Sequence, residues 1–168
     1  FIEKSYMAEI NKIVVIDFDN TLFYTPFPEK GKKRYEAMTG EPYPHRGWWG
    51  RPESLDMDVM GIEPNDEIME KYRECENDSK CMTVLCTGRL SKLSDAVGEI
   101  LKRHNVYFDE ENFNPGTNTL PYKIDTFERL HQTHPDAEMV IYDDRDEHIP
   151  YFKQWASDKE GVEVVHVK

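Results

Sequence analysis

A chain of 168 residues has the length of one ordinary domain. Its net charge of −12, from 33 acidic against 21 basic residues, argues against non-specific wrapping of nucleic acid, which depends on neutralising phosphates with Lys and Arg. No stretch approaches the roughly 18 consecutive apolar residues that span a membrane, so membrane insertion is excluded as an expectation. A small basic pocket for one phosphate remains compatible with the acidity. Hydrophobic residues make up 38%, and nine tyrosines, eight phenylalanines and three tryptophans supply the large side chains a core needs.

Met7 is followed by a short polar stretch and then by the first strand, so residues 1–6 read as an added remnant. Residues 7–168 read as a single domain. Ile13-Val14-Val15-Ile16 runs without a break into Asp17-Phe18-Asp19-Asn20-Thr21. An apolar, β-branched run of this kind suits a strand buried on both faces. Asp17 and Asp19 then fall at its C-terminal end, where open α/β sheets bind ligands. Two carboxylates placed two residues apart lean to one side of an extended chain, and they repel unless a cation joins them. Mg²⁺ is the natural hard partner for such oxygens. The plainer reading is an acidic turn capping the next segment.

From Phe23 to Pro64 the pattern is irregular and rich in Pro and Gly, and no helical period emerges. This length reads as a flap or small cap inserted after the first strand. Lys30 to Arg34 is its most basic cluster, either a solvated face or a contact for substrate phosphates. Trp48-Trp49 either packs the flap onto the core, which is the commoner case, or stacks on bases of a single strand.

A helix is predicted from Pro64-Asn65-Asp66 to about Glu76. Cys81 to Cys86 is a second buried strand, followed by Thr87-Gly88-Arg89. Ser91 or Ser94 caps a helix whose apolar face is Leu93, Ala96, Val97, Ile100 and Leu101. Val106 to Phe108 is predicted as a short third strand, and Pro121 to His131 as a helix. Glu138 to Tyr142 is a fourth strand ending in Asp143-Asp144-Arg145. Glu147 to Ser157 is a helix, and Val162 to Val167 a last strand. The alternation predicts a parallel sheet with helices on both faces and right-handed crossovers. The three cysteines show no CxxC spacing and no signal peptide is visible, which points to reduced thiols in a cytoplasmic compartment. No obligate protein partner is evident.

The chemically loaded segments all follow predicted strands and so converge on one rim. Asp17 is placed to attack phosphorus as a nucleophile. Asp19 is placed as general acid and base. Thr21 would orient Asp19 or the phosphate. Thr87 offers a hydroxyl and an N–H just before an expected helix start, and Arg89 a fork for phosphoryl oxygens. Lys123, in the first turn of its predicted helix, opposes the helix dipole, which a nearby cluster of carboxylates would explain. Asp143 and Asp144 would complete a metal site. His131 and His134 read as a helix-end cap. His148 either orders the Asp143-Asp144 loop or touches substrate.

Asp17-x-Asp19-x-Thr21, then Thr87, Lys123 and Asp143-Asp144 resemble the four ordered motifs of the haloacid dehalogenase (HAD) superfamily. The resemblance implies a Rossmann-like core, Mg²⁺ dependence and phosphoaspartate chemistry. It also implies metal ligation by Asp17, the carbonyl of Asp19 and one of the paired aspartates, chiefly Asp144. Asn20 departs from the pattern, since many members carry Gly there. A narrower similarity runs through the motif DFDNTLFYTPFP, Gly47-Trp48-Trp49, Pro52 to Leu55, Thr87-Gly88-Arg89 and Asp143-Asp144-Arg145 with His148. It is to the Swiss Army Knife RNA-repair-like branch and to the 3′-phosphatase domains of phage polynucleotide kinases. That similarity implies a phosphorylated substrate, a single-stranded nucleic-acid 3′ end, with Thr21, Thr87, Gly88 and Arg89 binding it. The alternatives are a phosphatase for small molecules or nucleotides and a phosphate-binding domain without turnover.

Overall fold

The computed structural model describes residues 9–168. The expectations about Met7 and residues 1–6 lie outside them. A parallel sheet of five strands runs through the molecule, made of β1 (Lys12–Ile16), β4 (Cys81–Leu90), β5 (Glu110–Asn114), β6 (Glu138–Asp143) and β7 (Val162–His166). Their order across the sheet is β5-β4-β1-β6-β7.

The apolar run in β1 is central and alternates between two cores. Val14 and Ile16 face one core, with α3 (Asp66–Glu76) and α4 (Ser94–Arg103). Ile13 and Val15 face the other, with α5 (Thr119–Thr133) and α6 (Ile149–Ala156). A strand sandwiched in this way has no polar face, which is why its sequence reads as continuously hydrophobic.

Between β1 and α3 the chain leaves the sheet. The short strands β2 (Phe23–Tyr24) and β3 (Glu63–Pro64) pair antiparallel and close the base of the excursion. The excursion contains α1 (Pro28–Thr39), a 3₁₀ turn (Pro52–Leu55) and α2 (Met57–Met60). The helix α1 corrects the sequence reading, which found no helical period here. Pro28 starts it and Gly40, at φ 76°, ends it. Gly31 is its one buried residue, so it has no apolar stripe to detect.

Other boundaries also move. Val106–Phe108 is not a strand. Val106 is buried and Phe108 packs on Tyr72, but the paired strand is the following Glu110–Asn114. As the edge of the sheet, β5 needs no apolar run, and its polar sequence concealed it. The strand β4 continues past Cys86 to Leu90, with a register shift between those two residues. Cys75 and Cys81 form a disulfide across a Cα–Cα distance of 5.2 Å, against the expectation of reduced thiols. The end of α3 and the start of β4 are brought together by the chain reversal between them. Cys86 is buried in the core, as its apolar run suggests. Among the described residues no helix is long and apolar enough to cross a membrane.

Candidate active site

The C-terminal ends of β1 and β6 lie side by side, since Ile16 is level with Tyr142 and the Asp17 N–H donates to the Tyr142 carbonyl. This register sets Asp17 beside Asp143 and Asp144. Carboxylate oxygens of all three lie within 4.8 Å of one another. Lys123 reaches in from α5, with Nζ 3.0 Å from Asp17 Oδ1 and 2.6 Å from Asp143 Oδ2. It sits in the second turn of α5 rather than the first, because the helix begins at Thr119.

Burial and the negative charge of Asp143 push the Asp17 carboxyl well above its ordinary range, and Lys123 only partly offsets them. Burial also raises Asp144. Burial would discharge Lys123, but Asp143 and Asp17 outweigh it and hold the ammonium charged. Three carboxylates against one ammonium leave two negative charges uncompensated in a buried cluster. A divalent cation removes that imbalance, and hard carboxylate oxygens are the donors Mg²⁺ prefers. Asp17, Asp143 and Asp144 therefore fit the metal that the motifs imply.

Thr21 is the fifth side chain of this cluster. Its hydroxyl lies 3.1 Å from Asp17 Oδ2 and 3.2 Å from Asp144 Oδ1, so the carboxylates it orients are these two rather than Asp19. It ties the nucleophile candidate to the metal-ligand candidate. Asn20, with φ 56°, occupies the left-handed region that Asn tolerates better than most residues, so the departure from Gly leaves the turn intact.

Asp19 stands apart, held by different partners. Arg89 forks onto it, with Nε 2.8 Å from Oδ2 and an Nη 2.7 Å from Oδ1. Thr25 donates to Oδ1 at 2.7 Å. The other Nη of Arg89 donates to the Trp49 carbonyl at 2.7 Å and to Ser54 Oγ at 2.6 Å. The fork that the sequence reading offered to phosphoryl oxygens is thus closed on Asp19 and the flap. Thr87 is also repositioned. It is fully buried in β4, its hydroxyl accepts the Arg89 N–H at 3.0 Å, and no helix begins there. Gly88 does reach the cleft, where a Cβ would come within 2.9 Å of Thr119.

These residues line one cleft of about 670 Å³ that includes Asp17, Asp19, Gly88, Arg89, Lys123, Asp143 and Asp144. Sequence reasoning gave no role to Thr25 or Ser54. Both lie in the flap segments quoted for the resemblance, and only their spatial neighbours mark them.

The two tryptophans of the pair differ in their surroundings. Trp48 is buried and its indole N–H donates to the Pro26 carbonyl. Trp49 lines the cleft and remains 37% exposed. The basic cluster is largely engaged within the flap, since Lys32 donates to the Arg46 carbonyl and Arg34 to the Val59 carbonyl. His148 is buried, with Nδ1 lacking a hydrogen-bond partner. His134 caps the end of α5, as expected of a helix-end pair, and His131 packs on Trp155.

A family model described as HAD domain family 1 in Swiss Army Knife RNA repair proteins matches residues 32–168. The chain belongs to this family. It is a domain of the HAD type, built on the Rossmann-like core of that superfamily. The matched span of the HAD domain holds Thr87, Lys123, Asp143 and Asp144 but begins beyond Asp17 to Thr21. Geometry joins the first motif to it, through the shared contact of Lys123 with Asp17 and Asp143.

The uncharacterized protein YMR265C of Saccharomyces cerevisiae is 26% identical over 170 residues, which covers 87% of this chain and 37% of that protein. The HAD chain thus spans well under half the length of this relative. Among solved structures, a chain of the Pnkp1/Rnl/Hen1 complex superposes with a TM-score of 0.60 at 13% identity, covering 99% of this chain and 48% of that one. A haloacid dehalogenase-like hydrolase from Streptococcus pneumoniae gives 0.53 at 15% identity, covering 94% and 84%. At such identities these likenesses show the fold.

Proposed function

We propose that the chain is a Mg²⁺-dependent phosphohydrolase that passes through an aspartyl-phosphate and removes the terminal phosphate from a polynucleotide 3′ end, RNA or DNA. The observation that carries the chemistry is the separation of two acidic sites in one cleft. Asp17 sits in a charge-crowded cluster with Asp143, Asp144 and Lys123, whereas Asp19 is held apart by Arg89 and Thr25. Two carboxylates in unlike environments are suited to unlike roles.

In this reading an Asp17 oxygen attacks phosphorus as the bond to the leaving oxygen breaks. Asp19 gives that oxygen a proton, then takes one from the water that cleaves the acyl phosphate. Lys123 holds Asp17 in place and offsets charge on the transferred group. Asp17, Asp143 and Asp144 would hold Mg²⁺, which when bound screens the repulsion between carboxylate and phosphate.

The substrate class rests on the family's description as part of RNA repair proteins and on the likeness to a chain of the Pnkp1/Rnl/Hen1 complex. A second reading, a nucleotide or small-molecule phosphatase, is favoured by Asp146 and Glu147 in the cleft lining, which repel an extended polyanion. The segment between β1 and α3, residues 23–64, acts in this reading as a flap over the cleft.

Hydrolysis of a generic aryl phosphate with Mg²⁺ and with EDTA, beside the Asp17→Asn variant, tests the chemistry. Turnover only in the wild type with Mg²⁺ is expected, and equal rates in the variant remove Asp17 from its role. A panel of 3′-phosphorylated oligonucleotides, nucleoside monophosphates and sugar phosphates tests the substrate. Much faster turnover of the last two groups ends the polynucleotide reading.

A further inference from the structure

The cleft has an aromatic side that the phosphoryl chemistry does not use. Phe27 and Trp49 both line it, yet they are among the most exposed large apolar side chains of the described residues, at 60% and 37%. Their rings meet edge to face, with centroids 5.6 Å apart and planes at 90°. The Arg89 guanidinium lies 5.0 Å from the Trp49 ring centre, a cation–π distance. The same guanidinium binds the Trp49 carbonyl and both oxygens of Asp19.

The backbone beneath is fixed as well, because the neighbouring Trp48 is buried against Gly31 and bonded to Pro26. Two exposed rings are therefore oriented at the mouth of a cleft that is far too large for a phosphate alone. The rest of that mouth carries Asp146, Glu147 and Arg145, whose guanidinium is paired with Glu147 at 3.4 Å, and the basic residues Lys32 and Arg34 of α1 are occupied within the flap. An incoming strand thus finds little to neutralise its backbone, but it finds a stacking surface beside the reacting groups.

We propose that Phe27 and Trp49 form a stacking platform for the base of the terminal nucleotide, the one whose sugar bears the scissile phosphate. A nucleic-acid end is then held through its last base rather than along its backbone. The inference rests on the phosphatase reading for the position of the phosphate at Asp17, and it names the part of the substrate that the cleft recognises. Because Arg89 touches both the platform and Asp19, seating the base also sets the orientation of the acid.

The test compares kcat/KM for three substrates. The first is an oligonucleotide with a 3′-phosphate on an intact terminal nucleotide. The second is the same strand with a 3′-phosphate on an abasic tetrahydrofuran residue, and the third is the matching nucleoside 3′-monophosphate. The wild type is expected to prefer the intact end over the abasic end by about tenfold, within the usual range for stacking one base on an aromatic side chain. In Phe27→Ala and Trp49→Ala that ratio falls toward one, and Trp49→Phe keeps most of it. The preference is also expected to change little between low and high salt, since few backbone phosphates are neutralised.

Equal rates for intact and abasic ends in the wild type overturn the platform, as does a preference that survives both alanine variants. A nucleoside monophosphate turned over more than tenfold faster than the strand assigns the platform to free nucleotides and overturns the strand-end proposal. If none of the three substrates, nor a generic aryl phosphate, is hydrolysed, the phosphatase reading has failed separately. Fluorescence anisotropy of the two labelled strands then decides the platform alone, with tighter binding of the intact end supporting it and equal binding overturning it.

Discussion

Among the described residues Lys123 is the one positive charge within bonding distance of Asp17 and Asp143, and all three side chains are almost wholly buried. Removing it leaves those carboxylates facing each other without compensation. Lys123→Met is expected to cost about 3–5 kcal/mol of folding stability, the usual result of breaking a buried pair from one side. Urea denaturation measures it, and an unchanged midpoint would show that the cluster relaxes into water. At Arg89 the geometry matters more than the charge. A lysine cannot fork onto Asp19 and also reach the Trp49 carbonyl and Ser54. Arg89→Lys is therefore expected to lower kcat by about 10²-fold, the low end of what a positioned acid–base group supplies. Far-UV circular dichroism would stay that of the wild type.

At the scale of elements, the flap depends on one close contact. A Cβ on Gly31 would lie 2.0 Å from Trp48 Cζ2, so α1 can approach the tryptophan only because residue 31 has no side chain. Gly31→Ala is expected to destabilise the protein by about 1–3 kcal/mol through overpacking. It should also shift Trp48 fluorescence toward that of a solvated indole. The flap also shows where sequence patterns fail. The helix α1 buries one residue and the edge strand β5 buries one, so neither carries the apolar period by which elements are recognised. By contrast β1 and β4 are almost wholly buried, and their apolar runs gave them away. Val106 and Phe108 show the converse error, an apolar pair that packs from a loop.

Two predictions belong to the whole molecule. With Cys75 and Cys81 joined and Cys86 buried, its thiol pushed up to about 12 by burial, the native protein should show no thiol reactive to Ellman's reagent. Unfolding without reductant should expose one thiol, and unfolding after reduction all three; three without reductant would exclude the disulfide. The second concerns pH. Burial, then the charges of Arg145 and Lys123, lowers the affinity of His148 for a proton. The unfolded chain takes up that proton as pH falls below the ordinary value near 6.5, while the folded state still resists it. The contribution of His148 to stability is thus complete above that value and declines as pH falls toward its lowered native one. Denaturation midpoints of the wild type and His148→Gln at pH 8 and pH 5 measure this, and the variant should lose less on acidification.

The sequence alone determined which acidic residues stand at the strand ends. Burial of a central parallel strand on both faces demands an unbroken apolar run, and the polar residues that stop it must lie at the sheet's rim. That is a local signal, and it placed Asp17, Asp19, Asp143 and Asp144 correctly at the ends of β1 and β6. Only the tertiary structure decided who bonds to whom. Arg89 meets Asp19 across 70 positions and Lys123 meets Asp17 across 106. Thr21 joins Asp17 to Asp144, and of two adjacent tryptophans one is sealed and the other open. Such pairings depend on the ångström-scale register of strands and the tilt of the flap, which no periodicity along the chain encodes.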